Sequence, residues 1–258
     1  MERDAAIVSP GLWGYLGARL DETRIQLCGR LAAVVAGRRI DAELPGRQGR
    51  LLFAYLVVNR LRSARREELA EALWPDGRDA GIAPLLSKLR RLVPIEGRGE
   101  ARLVLDPAAW VDLEAGQEAL HRAESAVARK DWIAAYGPSR VAQHVAMRGF
   151  FHGEDLPWVA EVQRRLDGMH RRALELLAET CIHIGGGELD TGERSARHLV
   201  ELEPYRESGH RFLMQILDTR GNRAEALRVY DELRIRLRDE LGVVPSSQTQ
   251  ALHKQLLG

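Results

Sequence analysis

Little in this chain could do covalent chemistry. Cysteine occurs only twice in 258 residues, as Cys28 and Cys181. Neither sits in a CxxC pair or beside a histidine at metal-ligand spacing, so the two thiols read as small buried hydrophobes rather than a disulfide or zinc framework. The histidines are dispersed: His144, His152, His170, His183, His198 and His210 form no HExxH or mixed carboxylate pattern. Gly185-Gly186-Gly187-Glu188-Leu189 lacks the Gly-Lys-[Ser/Thr] of a phosphate loop and reads as a turn between helices. Ser87 has no nucleophile-elbow context. No enzyme constellation emerges, and no metal or cofactor is expected. Aromatic residues make up only 5%, so the cores must be mostly Leu, Ala and Val, with Trp110, Trp132 and Trp158 as anchors. No apolar run reaches the roughly 18 residues of a membrane span, and the N-terminus lacks a signal-peptide pattern. The chain therefore reads as cytoplasmic, without membrane contact. Lysine is nearly missing too: Lys88, Lys130 and Lys254 stand among 38 basic residues.

What is present suits two ordinary helical or mixed domains. The chain is long enough for both, and 45% of it is hydrophobic. Net charge is +1, but residues 1–110 hold 18 basic against 14 acidic side chains and residues 111–258 hold 20 against 23. A basic front half joined to a mildly acidic back half fits a nucleic-acid reader coupled to a protein-contact module. The expected division is an N-terminal extension over 1–23, a first domain over 24–110 and a second over 111–258.

The front half begins with TRIQLCGRLAAVVAGRRIDAELP. Ile25 and Leu27 alternate, Ala33 to Val35 follow, and Ala36-Gly37-Arg38-Arg39 reads as a hairpin turn in a small antiparallel sheet. Helical spacing of Leu51, Leu52, Tyr55 and Leu56 predicts a first helix from about Gln48 to Arg60. Ser63 is placed to cap a second helix whose inner stripe is Leu69, Leu73 and Trp74, stopped by Pro75. A third helix follows in AGIAPLLSKLRRLVP, with Ile82, Leu85 or Leu86, Leu89 and Leu92 or Val93 inward, and Ser87, Lys88, Arg90 and Arg91 outward. Gly97-Arg98-Gly99 then turns into a strand over Ala101–Leu105. Sheet, three helices and a two-stranded wing are the order of a winged helix. Such a third helix fits a major groove about 12 Å wide, with arginines for guanine edges or phosphates. Ser87, Lys88, Arg90 and Arg91 are the candidate DNA contacts, and Arg47, Arg50, Arg98 and Arg102 the candidate phosphate neighbours. The alternative is that SKLRR is only a solvated helix face.

From Val111 onward the pattern is helical. One amphipathic helix spans about Asp112–Arg129, another begins at Asp131, and Pro138 and Gly149 punctuate. A long helix begins near Pro157, a favourable first-turn position, with Leu166, Met169, Ala173, Leu176 and Leu177 inward. Gly187 then aligns with Gly221 and Leu199 with Leu233, the 34-residue tetratricopeptide period. Stacked helix pairs of this kind make a surface for holding another macromolecule.

Three runs together carry a resemblance: EELAEALWP, SKLRRL and DELGVVPS, in this order. With their surroundings they are similar to the Streptomyces antibiotic regulatory protein family over about residues 24–258. The resemblance implies an α+β winged helix of the response-regulator type, followed by an all-α bacterial transcriptional activation domain with tetratricopeptide-like repeats. It also implies a transcription activator that binds promoter-proximal direct repeats in double-stranded DNA as a side-by-side pair. Such an activator recruits RNA polymerase through its sigma factor and alpha subunit, often for a biosynthetic gene cluster. One departure stands out, because Pro84 and Leu85 replace the polar or histidine-bearing residues usual before S-[RK]-L-R-R. Proline is compatible with a helix only in its first turn, so the reading helix is expected to shorten to roughly 85–93. A competing reading follows, in which the winged helix is retained as structure and the chain is a protein- or ligand-binding scaffold.

Overall fold

The computed structural model describes residues 22–77 and 81–258. All but the last two residues of the expected N-terminal extension lie outside this range, as do Arg78 and Asp79 of the loop before the third helix. The described residues divide into two compact units, the first made of 22–25 and Leu31–Trp110, the second of Gln26–Arg30 and Val111–Gly258.

The first unit is mixed α/β. Its described elements run β1 (Arg24–Gln26), β2 (Ala32–Val35), β3 (Arg38–Arg39), α1 (Gly46–Val58), β4 (Ala64–Arg65), α2 (Arg66–Leu73), α3 (Ile82–Leu89), β5 (Ile95–Glu96), β6 (Glu100–Leu103) and β7 (Trp110–Val111). Two small open sheets result, of order β3-β2-β1-β7 and β4-β6-β5. The hairpin turn is shorter than expected. Val35 pairs with Arg38 and Val34 with Arg39, so the two arginines are strand and only Ala36-Gly37 turns. Both turn residues have positive φ, 47° and 76°, as a two-residue hairpin twist requires.

Helix α1 is the centre of this unit, because Leu51 through Val57 are all buried. A helix apolar on every side needs neighbours on every side. Ser63 does not cap α2. Ala64 and Arg65 are extended and pair with Ala101 and Glu100 of β6, so the helix starts at Arg66 with Glu67 and Glu68 in its positive first turn. In α3 the open choices resolve to Ile82, Leu86 and Leu89 as the buried face, with Val93 buried just beyond. Pro84 is the third residue of that helix, where no intrahelical N–H is needed. The helix nevertheless ends at Leu89, so Arg90 is its C-cap and Arg91 lies past it.

The second unit is helical after its strand-like segment: α4 (Asp112–Ala128), α5 (Trp132–Ala146), α6 (Pro157–Ile184), a single 3-10 turn at Gly186–Glu188, α7 (Leu189–Leu202), α8 (Glu207–Thr219), α9 (Arg223–Leu241) and α10 (Ser247–Leu257). Each helix packs on the next, and α4, α6, α8 and α10 also touch in succession. This is the tetratricopeptide-like arrangement of stacked antiparallel pairs. Helices α7 and α9 begin 34 residues apart, at Leu189 and Arg223, and the equivalent Leu199 and Leu233 are both fully buried. Small residues sit where helices cross. A Cβ on Gly192 would lie 2.7 Å from the Cys181 Cβ. Pro138 does not punctuate, because it lies inside α5.

Residues Gln26–Arg30 join this unit through one buried carboxylate. Asp112, fully buried at the start of α4, accepts the backbone N–H groups of Leu27, Cys28 and Leu113, each at 2.9 Å. The Gly29 N–H donates to the Gly149 carbonyl, and Cys28 bridges to Phe150. Burial pushes the Asp112 carboxyl above its ordinary range, against the pull of those amides. The Cys28 thiol beside it is raised still further, by burial first and the Asp112 charge second. Burial likewise pushes the Cys181 thiol up to about 11. Both cysteines are free and buried.

Candidate nucleic-acid interface

Five cationic residues of the first unit, Lys88, Arg90, Arg91, Arg98 and Arg102, lie at the end of α3 and on the β5–β6 hairpin. The exposed face of α3 is Ala83, Pro84, Ser87 and Lys88, continued by exposed Arg91, while Ile82, Leu86 and Leu89 hold the helix to α1 and α2. Lys88 and Arg90 sit at the negative end of the helix dipole, a favourable place for a cation. That alone is a structural reason for both.

The wing turn is clamped from two sides. Arg90 donates through Nη2 to the Gly97 carbonyl at 2.6 Å. Arg66, the first residue of α2, donates through Nη2 to the Arg98 carbonyl at 2.7 Å. Both guanidiniums keep their full charge, because their partners are neutral carbonyls. Gly97 itself has φ +95°, and a Cβ there would fall 2.3 Å from the Glu100 carbonyl oxygen. Only glycine closes this turn without displacing the strand.

The expected contact residues separate into three groups. Among the described residues, the side chains of Lys88, Arg91, Arg50 and Arg98 form no hydrogen bond or ion pair, and all four are exposed. Arg90 is half-buried and committed to the wing. Arg102 is paired with Glu96 at 3.2 Å across β5 and β6, which offsets part of its charge. Arg47 and Arg50 lie in the first turns of α1, which carries no acidic residue there. Cations at that positive helix end are unfavourable by about 0.3–1 kcal/mol each, so helix stability does not account for them.

Two arginines escape a reading of spacing. Arg66 reaches 32 residues ahead to the wing, and exposed Arg65 stands 4.0 Å from Glu100. They occur within SARREEL, a run that reads as the start of a helix and gives no hint of a strand beside the wing. Arg62, just before this run, is taken by Glu68, whose carboxyl it holds below the ordinary range.

In the helical half most arginines meet carboxylates. Arg171 pairs with Glu203, Arg172 with Glu124 and Glu175, and Arg197 with Glu193 and Glu225. Among the described residues no group of three or more His, Cys, Asp or Glu is placed to hold a metal ion. Among the described residues no helix is long and apolar enough to cross a membrane.

Residues 111–257, the helical unit nearly to its last residue, match the family described as "Bacterial transcriptional activator domain". The chain is 30% identical over 219 residues to the regulatory protein AfsR of Streptomyces coelicolor, covering 81% of this chain and 22% of that protein. It is 27% identical over 257 residues to the regulatory protein AfsR of Streptomyces griseus, covering 93% and 25%. The chain thus spans about a quarter of the length of these relatives. Among solved structures it is similar in fold to Mycobacterium tuberculosis EmbR, determined in complex with a low-affinity phosphopeptide. That likeness has a TM-score of 0.77 and 21% identity, over 92% of this chain and 65% of that one. The chain belongs to the bacterial transcriptional activator domain family, with an N-terminal mixed α/β domain followed by a helical-repeat domain.

Proposed function

We propose that this chain is a DNA-binding transcription activator. On this reading α3 and the wing engage promoter-proximal repeats, the helical unit contacts RNA polymerase, and two copies stand side by side on DNA. The single observation that carries it is the clamped wing: Arg90 and Arg66 hold the Gly97-Arg98 turn by its carbonyls, with Arg98 exposed on the turn and Lys88 and Arg91 exposed on either side of Arg90 in sequence. Fixing a loop that carries cations lowers the ordering cost of binding a polyanion. Exposed Arg50, in the first turns of α1, adds a further cation at a helix end where its charge is unfavourable.

The geometry also says what kind of binding to expect. Helix-turn-helix proteins read bases with the N-terminal residues of the recognition helix. Here those residues are Ile82, Ala83, Pro84 and Leu85, whose side chains have no hydrogen-bonding atoms. Ser87 and Lys88 remain for base edges, and Arg90, Arg91, Arg98, Arg102, Arg47 and Arg50 for phosphates. Affinity should therefore be dominated by charge and fall steeply with salt. Control of a biosynthetic gene cluster, and contact with the sigma factor and alpha subunit of polymerase, belong to this proposal through the family resemblance.

The same apolar N-terminal turn, with the Arg102–Glu96 pair, favours a second reading in which the winged helix is retained as structure and the chain is a scaffold. Footprinting of the upstream DNA, with and without RNA polymerase, decides between them. The activator reading expects a protected repeat that is extended or strengthened by polymerase. No protection above that of unrelated DNA at low salt supports the scaffold.

A further inference from the structure

One polar cleft in the helical unit is lined by arginines that lack the carboxylate partners common elsewhere in that unit. It measures about 230 Å³ and is bordered by Arg140 and Gln143 of α5 and by Thr191, Arg194, Ser195 and His198 of α7. Both arginines are exposed. Arg140 donates to the hydroxyl of its own helix neighbour Tyr136 at 3.2 Å, and Arg194 to Thr191 at 3.2 Å. Neither forms an ion pair among the described residues. The acids nearest Arg194 in sequence are already engaged: Arg220 holds Asp190 at 2.8 Å and Glu193 at 2.7 Å, and Arg197 also holds Glu193. Two full positive charges thus face one opening with hydroxyl and amide groups around them.

Beyond the cleft, α5 exposes one large apolar side chain. Ile133 lies seven residues before Arg140 on α5, on the same face at helical spacing, and is 75% exposed. Its neighbour Trp132 is fixed by stacking on His183 at 3.9 Å. At about 1.5 Å rise per residue the isoleucine and the arginine are roughly 10 Å apart along the helix. An extended peptide covers that distance in about three residues.

We propose that this cleft docks an acidic segment of a partner protein, with a carboxylate held by Arg140 and Arg194 and an apolar side chain three residues away resting on Ile133. An isolated small anion would satisfy the arginines but leave the exposed Ile133 uncovered, and charge complementarity excludes a basic partner. The proposal rests on the helical unit being the protein-contact half, and is independent of DNA binding by the first unit.

The test is a titration of the isotope-labelled full chain, followed by backbone amide shifts, with a synthetic Leu-Ser-Ser-Glu-Glu peptide and its Gln-Gln counterpart. The acidic peptide is expected to shift amides on α5 and α7 around Arg140 and Arg194, saturably, and the Gln-Gln peptide to shift none. The double variant Arg140→Gln/Arg194→Gln should bind at least tenfold more weakly with an unchanged unfolding midpoint. A second variant, Ile133→Ser, should weaken binding several-fold while leaving both charges. Shifts concentrated on residues 87–102, an unaltered affinity in the double variant, or displacement of the peptide by an equal concentration of inorganic phosphate would each overturn the proposal. DNA binding measured on the same double variant is expected to stay at the wild-type level. Loss of peptide binding by wild type with DNA binding intact removes the cleft and leaves the activator reading in place, whereas peptide binding without any DNA binding does the reverse.

Discussion

Arg90 Nη2 donates to the carbonyl oxygen of Gly97 at 2.6 Å, so the residue that caps α3 also sets the position of the wing turn. One guanidinium therefore has two jobs, presenting charge and fixing geometry, whereas its neighbour Arg91 has only the first. The distinction makes the two arginines separable by experiment.

Arg91→Ala should weaken DNA binding evenly across sequences and reduce the salt slope by about one unit. Arg90→Ala should cost at least as much slope and in addition loosen the wing. The check is fluorescence polarisation over a salt series, combined with hydrogen exchange of residues 97–100. Faster exchange in Arg90→Ala and none in Arg91→Ala is the expected pattern. Equal exchange in both would show that the bond to Gly97 does not hold the turn.

Gly97→Ala should destabilise the first unit by about 1–3 kcal/mol, the usual cost of forcing a side chain into a left-handed position. The added Cβ meets backbone, the Glu100 carbonyl oxygen at 2.3 Å, which cannot swing aside as a side chain would. A urea titration measures the effect, and a change within about 0.5 kcal/mol would contradict the turn geometry.

Asp112→Ala should be among the most damaging single changes in the helical unit. The carboxylate serves three backbone amides, two of them more than 80 residues away in sequence. Each buried donor left without a partner costs about 1–3 kcal/mol. Thermal unfolding of the full chain is the measurement, with Asp112→Asn expected to recover part of the loss because its side-chain oxygen still accepts.

Helix α10 should loosen in acid. Glu207 of α8 accepts from the Ser246 backbone N–H and hydroxyl, and from the Thr249 hydroxyl. Partial burial alone would raise its carboxyl, but these bonds and Arg211 hold it below the ordinary 4.5. A carboxylate with a depressed folded pKa contributes stability above 4.5 that is lost as pH falls through the folded value. Hydrogen exchange of α10 should rise below pH 4.5 ahead of α9. In Glu207→Gln that pH dependence should vanish.

Much of the architecture is legible in one dimension because helices announce themselves locally. Pro157 marks the start of the longest helix, and the 34-residue offset between Gly187 and Gly221 reappears as the offset between the first residues of α7 and α9. Two-residue strands carry no periodic signal, so the β4 segment Ala64–Arg65 reads as the approach to a helix until β6 is placed beside it. Pro138 reads as a break, yet α5 continues through it because α4 and α6 pack along its length.

The residues around α3 divide the same way. Amphipathic spacing put Leu85 or Leu86 inward and Ser87, Lys88, Arg90 and Arg91 outward; Ser87, Lys88 and Arg91 are exposed, whereas Arg90 is half-buried. Tertiary structure decided which cations remain available. Arg102 meets Glu96 across a hairpin, Arg90 and Arg66 are drawn onto wing carbonyls, and Lys88 and Arg91 are left exposed. Local periodicity governs where a side chain points, but its partner is set by chain segments many residues away, and only folding brings those together.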